Sequence, residues 1–204
     1  SGNESQGISV QASTLTSGGL PAAMPEPTAY WPLDNSGMTT RKARFSNARV
    51  QVDTNRSLGR NAEALTMAAW VRISPSNIYW NKFFTIWGGG NTERAVMQLY
   101  HGELRTGGRR LDSDSWQENH RVNDKDYRDN RWHRFVLVHD YLNGTSRVYI
   151  DGELKSVREN FQTPGLSSDT DNSKIIIGGN VSNEAFEGEL WNLQVWNKAW
   201  DGAN

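Results

Sequence analysis

The residues best equipped for chemistry lie between Trp80 and Trp116. Arg105, Arg109 and Arg110 form a local cluster with no acid inside it. A guanidinium fork offers paired N–H donors that match a carboxylate or sulfate, so this segment suits an acidic polysaccharide. Gln98 and Tyr100 alternate within 95–100, which puts them on one face if that run is a strand. Trp80 follows the loop-like Ser74-Pro75-Ser76-Asn77, and Trp116 sits in the almost wholly polar stretch from Asp112 to Asn130. A tryptophan in such company is either a loop anchor or an exposed platform. Sugars have apolar ring faces and hydroxyl edges, and their sites pair an aromatic platform with planar hydrogen-bonding groups. Trp80, Gln98, Tyr100, Arg105, Arg109, Arg110 and Trp116 are therefore the candidate ligand-binding set.

Acids and bases otherwise interleave along 103–134. Arg121, Lys125, Arg128, Arg131 and Arg134 alternate with Glu118, Asp124, Asp126 and Asp129, the pattern of a solvated, self-paired surface. The whole chain balances 22 Lys and Arg against 23 Asp and Glu, for a net charge of -1. Such totals give no long-range attraction to nucleic acid or to an anionic membrane. No run approaches the ~20 apolar residues of a membrane helix, so no membrane insertion is expected. No apolar segment with a charged start is present to act as a leader. Cysteine is absent, which excludes disulfides, thiolate metal sites and a cysteine nucleophile. The 9 tryptophans are too many large rings for a disordered chain.

The elements that must position these residues read as short strands. Leu65, Met67, Ala69, Val71 and Ile73 share one face of a period-two run, with Thr66, Trp70 and Arg72 on the other. Ala95, Met97 and Leu99 oppose Val96, Gln98 and Tyr100. In Trp132–His139, Phe135 and Leu137 oppose Val136 and Val138, so both faces look buried. Phe83–Trp87 and Lys174–Gly178 are β-branched or aromatic runs of strand length. Asn143-Gly144 and Asp151-Gly152 are hairpin dipeptides. Helical periodicity is missing, and Arg56–Ala64 has room for one turn at most. Residues 1–27 are rich in Ser, Gly, Ala, Pro and Gln and read as a linker or N-terminal arm, with one short strand at Ile8–Val10. The fold class expected is all-β, a two-sheet antiparallel sandwich over residues 28–204.

Several segments, in order, resemble the laminin-G-like, concanavalin-A-like jelly-roll superfamily. Ala29-Tyr30-Trp31-Pro32-Leu33-Asp34 resembles its opening strand, and Phe45 to Val52 the next. Leu65-Thr66-Met67-Ala68-Ala69-Trp70-Val71 and Trp132-His133-Arg134-Phe135-Val136 resemble two central strands. Val148-Tyr149-Ile150-Asp151-Gly152 resembles its hairpin. Phe186-Glu187-Gly188-Glu189-Leu190, with Leu193, Val195, Trp196 and Ala199, resembles its closing strand. The resemblance implies a convex and a concave sheet, and an extracellular domain of a larger protein, secreted or on the cell surface. It places Trp70, Trp132, Trp191 and Trp196 at packing positions, and Trp31 with them.

Members of this family are mostly binding modules, and others are enzymes, so fold alone does not choose. Retaining glycosidases need two carboxylates facing one sugar bond, and the family's Glu-x-Asp-x-x-Glu run is absent. Glu187 and Glu189 share a strand face but read as surface groups. Gly102-Glu103-Leu104-Arg105 resembles one alginate-lyase strand, without that family's other catalytic motifs. Calcium is common among related jelly rolls and takes six to eight oxygens. Asp34, Asp53, Asp140 and Asn180, near strand ends, are the candidate ligands for a structural Ca2+. No histidine pair has metal-ligand spacing. The expected function is a non-catalytic, lectin-like carbohydrate-binding module whose partner is a polysaccharide or other glycan. The alternatives are a protein-binding adhesion domain with a protein partner, and a polysaccharide lyase or hydrolase with an unrecognised site.

Overall fold

The period-two runs become strands, as their alternation requires. The structure, a computed structural model, describes residues 29–31, 43–53, 63–76, 80–88, 92–109, 116–159, 161, 174–179 and 186–200. Its strands are β1 (Ala29–Trp31), β2 (Ala43–Ala48), β3 (Val50–Asp53), β4 (Ala64–Arg72), β5 (Asn81–Gly88), β6 (Thr92–Tyr100) and β7 (Glu103–Arg109). They continue as β8 (Trp116–Val122), β9 (His133–Asp140), β10 (Thr145–Ile150), β11 (Glu153–Arg158), β12 (Lys174–Ile177) and β13 (Phe186–Trp196). The expected strand at Ile8–Val10 and the arm over 1–27 lie outside the described residues.

The strands form two antiparallel sheets. A seven-stranded sheet runs β1-β13-β4-β9-β10-β11, with β2 also paired to β13. A six-stranded sheet runs β3-β12-β5-β6-β7-β8. Leu65, Met67, Ala69, Val71 and Ile73 meet Phe83, Phe84, Ile86, Ala95, Met97 and Leu99 between the sheets, all buried, with the adjacent Phe83 and Phe84 both in the core where the β5–β6 register shifts. Val136 and Val138 are buried on the opposite side of β9, in a separate cluster with Ala68, Tyr149, Trp196 and Trp200. The Thr66 hydroxyl pins that cover in place: it donates to the Lys198 carbonyl at 2.7 Å and accepts from the Trp200 amide at 3.0 Å.

Polar groups close the sandwich where the edge strands β8 and β11 meet. The Ser146 hydroxyl lies 2.7 Å from His120 Nε2 and 2.8 Å from His139 Nδ1, and His120 Nδ1 lies 2.8 Å from Ser156 Oγ. Arg158 donates to the Glu118 carbonyl at 2.8 Å across the same seam. Burial lowers the pKa of His120 to about 4, with Arg158 adding to the shift, and lowers that of His139 to about 3. Both imidazoles are therefore neutral in the native protein near pH 7.

Two tight turns sit at the dipeptides the sequence marks. Asn143-Gly144 helps to join β9 to β10, and Asp151-Gly152 joins β10 to β11. A third two-residue turn, His101-Gly102, joins β6 to β7 with φ of 50° and 88°. This is a turn type that needs positive φ at both centres.

Candidate functional site

The outer face of the six-stranded sheet collects the candidate side chains. Ala95, Met97 and Leu99 face the core, so Val96, Gln98 and Tyr100 face away from it. The His101-Gly102 turn sets Tyr100 opposite Glu103 and Gln98 opposite Arg105. One strand further, Arg105 stands opposite Arg121, and Gly107 opposite Glu118. Period-two alternation therefore brings residues from three strands onto one patch.

At its centre Trp80 stacks on Tyr100, ring centroids 3.9 Å apart and 29° from parallel. The Arg105 guanidinium carbon stands 4.5 Å from the Tyr100 ring and 5.9 Å from the Trp80 ring. Two rings and a guanidinium thus form a compact triangle, stabilised by stacking and cation–π attraction. Trp80 is half-buried and stacked on Tyr100, which makes it the anchor of the two roles open to it.

Trp116 opens β8 and keeps 39% of its surface exposed. Its indole lies over Gly107, diagonally across the strand pair. A Cβ on Gly107 would stand 2.4 Å from Trp116 Cζ2 and 2.9 Å from Cη2, so only glycine leaves room for the ring. One face of the indole is seated on backbone while the residue stays open to solvent.

The charges correct one expectation. The cluster Arg105–Arg110 holds no acid, but Arg105 is paired with acids that flank it. Its guanidinium reaches Glu103 at 3.1 Å and Glu118 at 3.3 Å. Arg121 grips Glu103 with two bonds, Nε at 2.8 Å and Nη2 at 3.0 Å. The Arg121 hydrogen bond, with help from Arg105, holds the Glu103 carboxyl below the usual carboxylate range. Period-two spacing puts Glu103 on the face of Arg105, but Glu118 and Arg121 come from the neighbouring strand, which spacing along the chain does not show. Glu103, Glu118 and Arg121 are thus site residues the sequence reading left as ordinary surface. Carrying the alternation of Gln98 and Tyr100 through a two-residue turn would have placed Glu103 with them.

Gln98 is on the expected face but is buried, and its Oε1 has no hydrogen-bond partner among the described residues. Next to it, Lys82 and Glu93 form a buried ion pair at 2.7 Å. Arg109 lies on β7 with its side chain outside the described residues, as Arg110 does entirely. The surrounding polar stretch behaves as its interleaving predicts, with Arg128 on Asp126 at 2.7 Å and Lys155 on Asp124 at 2.8 Å.

Of the calcium candidates, Asp34 and Asn180 lie outside the described residues, and so does the side chain of Asp53. Asp140 is buried and uses both oxygens on Asn143, accepting from its backbone N–H at 2.9 Å and its amide at 2.8 Å. It caps the β9–β10 turn. Among the described residues no three His, Asp or Glu cluster as a metal site would.

Trp196 is sealed, and Trp70, Trp132 and Trp191 are half-buried. These three pack on one another on the outer face of the seven-stranded sheet, the face that alternation gives Trp70. Alternation tells which residues point away from the core but not whether that outer face is covered.

A family model described as the concanavalin A-like lectin/glucanases superfamily matches residues 45–204. No curated protein matches the sequence. The carbohydrate-binding module CBM40 of the Ruminococcus gnavus IT-sialidase, bound to α2,3 sialyllactose, has a similar fold at TM-score 0.68 and 14% identity, over 86% of this chain and 95% of that one. The ligand-binding domain of botulinum neurotoxin serotype D, in complex with N-acetylneuraminic acid, gives TM-score 0.58 and 14% identity over 79% of this chain. This chain spans only 39% of that toxin domain's length. A heptameric pentraxin from Limulus polyphemus gives TM-score 0.55 and 19% identity, over 69% of this chain and 67% of that one.

Proposed function

Because this chain belongs to the concanavalin A-like lectin/glucanases superfamily, we propose that it is a non-catalytic glycan-binding module of a larger secreted or cell-surface protein. The site is the outer face of the six-stranded sheet. One observation carries the proposal: Trp116, seated on Gly107 and open to solvent, on the same sheet face as the Trp80–Tyr100–Arg105 triangle. A pyranose stacked on the indole has hydrogen-bonding groups of both signs close by.

The ligand class is an acidic glycan. The sialic-acid ligands of two proteins of this fold support that choice, as do two guanidinium forks on the face. Arg105 and Arg121 are balanced by Glu103 and Glu118, so the patch gains no long-range pull. A sugar carboxylate instead competes with Glu118 for Arg105. Specificity thus depends on contact geometry rather than on net charge, and affinity is modest because the face is shallow and wet. Arg109, opposite Trp116 in the β7–β8 register, and Arg110, next to it in the chain, belong to the proposed set.

The test is calorimetric titration with α2,3 sialyllactose, alginate and neutral lactose, first with calcium and then with chelator. Binding of the acidic ligands, and its loss in Trp116→Ala with the fold intact, supports the site. Loss on chelation makes calcium part of it. Equal binding by lactose removes the acidic preference, and a blank for all three shifts the weight to a protein partner.

A further inference from the structure

The seven-stranded sheet carries a second aromatic group, on the opposite side of the sandwich. Trp70 on β4 is in register with Trp191 on β13 and with Arg134 on β9. The Trp70 and Trp191 rings are 5.9 Å apart and 30° from parallel. Trp132 stands edge-on to Trp191 at 6.5 Å and 74°. The Arg72 guanidinium lies 5.5 Å from the Trp132 ring and ion-pairs with Glu189.

Two observations separate this group from ordinary packing. The same face seals its other indoles: Trp196 and Trp200 are 2% and 8% exposed, under the segment that Thr66 pins. The chain therefore covers tryptophans on one half of the face and leaves those on the other half partly open. The second observation is backbone geometry. Phe186 and Leu190 point into the core, and so do Leu193 and Val195. A register shift between Trp191 and Gln194 makes this possible and lets Trp191 and Trp196 share the outer face. Asn192 takes up the extra residue at φ 54°, a left-handed conformation that asparagine tolerates, so the bulge turns both indoles outward at little cost.

We propose that Trp70, Trp132 and Trp191 form a second glycan platform, for the apolar ring faces of a neutral hexopyranose chain. The indoles supply the stacking surface. The Arg72–Glu189 pair supplies a donor and an acceptor for ring hydroxyls. Within the pair the two charges are already partnered, so it offers hydroxyl partners while the three indoles supply the apolar surface that a neutral sugar face needs. This platform does not rest on the six-stranded face, and the two would make the module bivalent for chemically different glycans.

The experiment uses the full chain carrying Trp116→Ala, labelled with fluorotryptophan. Fluorine resonances of Trp70, Trp132 and Trp191 are assigned through single Trp→Phe variants. The protein is titrated with cellohexaose, mannohexaose and sialyllactose. Expected are saturable shifts of these three resonances with a neutral hexaose and none with sialyllactose. Trp191→Ala should weaken hexaose binding roughly five- to tenfold. Glu189→Gln, which leaves the rings in place, keeps the test interpretable if Trp191→Ala fails to fold, and it should weaken binding too. No shift of the three resonances at millimolar hexaose overturns the proposal. So does a hexaose that moves only the Trp80 resonance, since the sugar then sits on the other sheet. Loss of sialyllactose binding in this variant bears on the first site alone.

Discussion

The indole of Trp116 fills the space that a side chain on Gly107 would need, with Cζ2 only 2.4 Å from the site of a Cβ. Gly107→Ala must push the ring away or move β8, whose Gln117 carbonyl lies 2.6 Å from the same point. The expected cost is about 1–3 kcal/mol of stability, the range for overpacking. Glycan affinity should fall with it. Thermal denaturation and calorimetry on one preparation read both. A variant that binds and melts as wild type would show that the ring has another seat.

Arg105 is shared between Glu103 and Glu118. Glu118→Gln removes one competitor for the guanidinium, so affinity for a carboxylated glycan should rise severalfold while lactose binding stays constant. Arg105→Ala should lower affinity for the acidic ligand by about tenfold or more, the value of a charge-assisted hydrogen bond. Titrations at two salt concentrations check both. An unchanged acidic-to-neutral ratio in both variants excludes Arg105 as the carboxylate reader.

The His120–Ser146–His139 seam predicts an acid-sensitive fold. Both folded-state pKa values lie below the ordinary histidine value, at about 4 and about 3. Above pH 6.5 both states leave these histidines neutral, so they add no pH dependence. As pH falls below that, the unfolded chain takes up protons that the native state refuses, and stability drops until about pH 4 for His120 and about pH 3 for His139. The slope is at most about 1.4 kcal/mol per pH unit for each histidine. Urea unfolding at a series of pH values should show it, and His120→Gln should flatten it. An equal slope in that variant would assign the acid sensitivity to carboxylates such as Glu103.

The β6–β7 turn places His101 at φ 50°. Asparagine tolerates that conformation better, so His101→Asn should stabilise by up to about 1 kcal/mol with binding unchanged. Gly102→Ala should do the reverse. Its φ is 88°, and a Cβ there would stand 2.0 Å from Asp126 Oδ1. Melting temperatures of the two variants decide this. Destabilisation by both would mean that the turn depends on the imidazole.

The alternation of Leu65 to Ile73 and the two-sided burial of Phe135 to Val138 were legible because period two has one physical cause, the pleat. The stacked pair was half legible: Tyr100 and Trp80 were both singled out, but their contact depends on the β5–β6 pairing. The pairing of Arg105 with Glu118 stayed hidden because it depends on the β7–β8 register. The preferred two-residue hairpin sequences are Asn-Gly, Asp-Gly and Gly-Gly, so His101-Gly102 does not read as a hairpin as Asp151-Gly152 does. Trp70, Trp132 and Trp191 were read as packing because the resemblance places them in strands. Which half of an outer face is covered depends on where the segment around Trp200 comes to rest, which no local pattern records.

Thr66 also sets an orientation. By holding the amide of Trp200 and the carbonyl of Lys198, it fixes the end of the described chain on the outer side of the seven-stranded sheet. A tether continuing past Trp200 would therefore start from the side opposite Trp116 and Tyr100. Anchored that way, the module would turn its Trp116 face away from its attachment point and toward whatever surface approaches it.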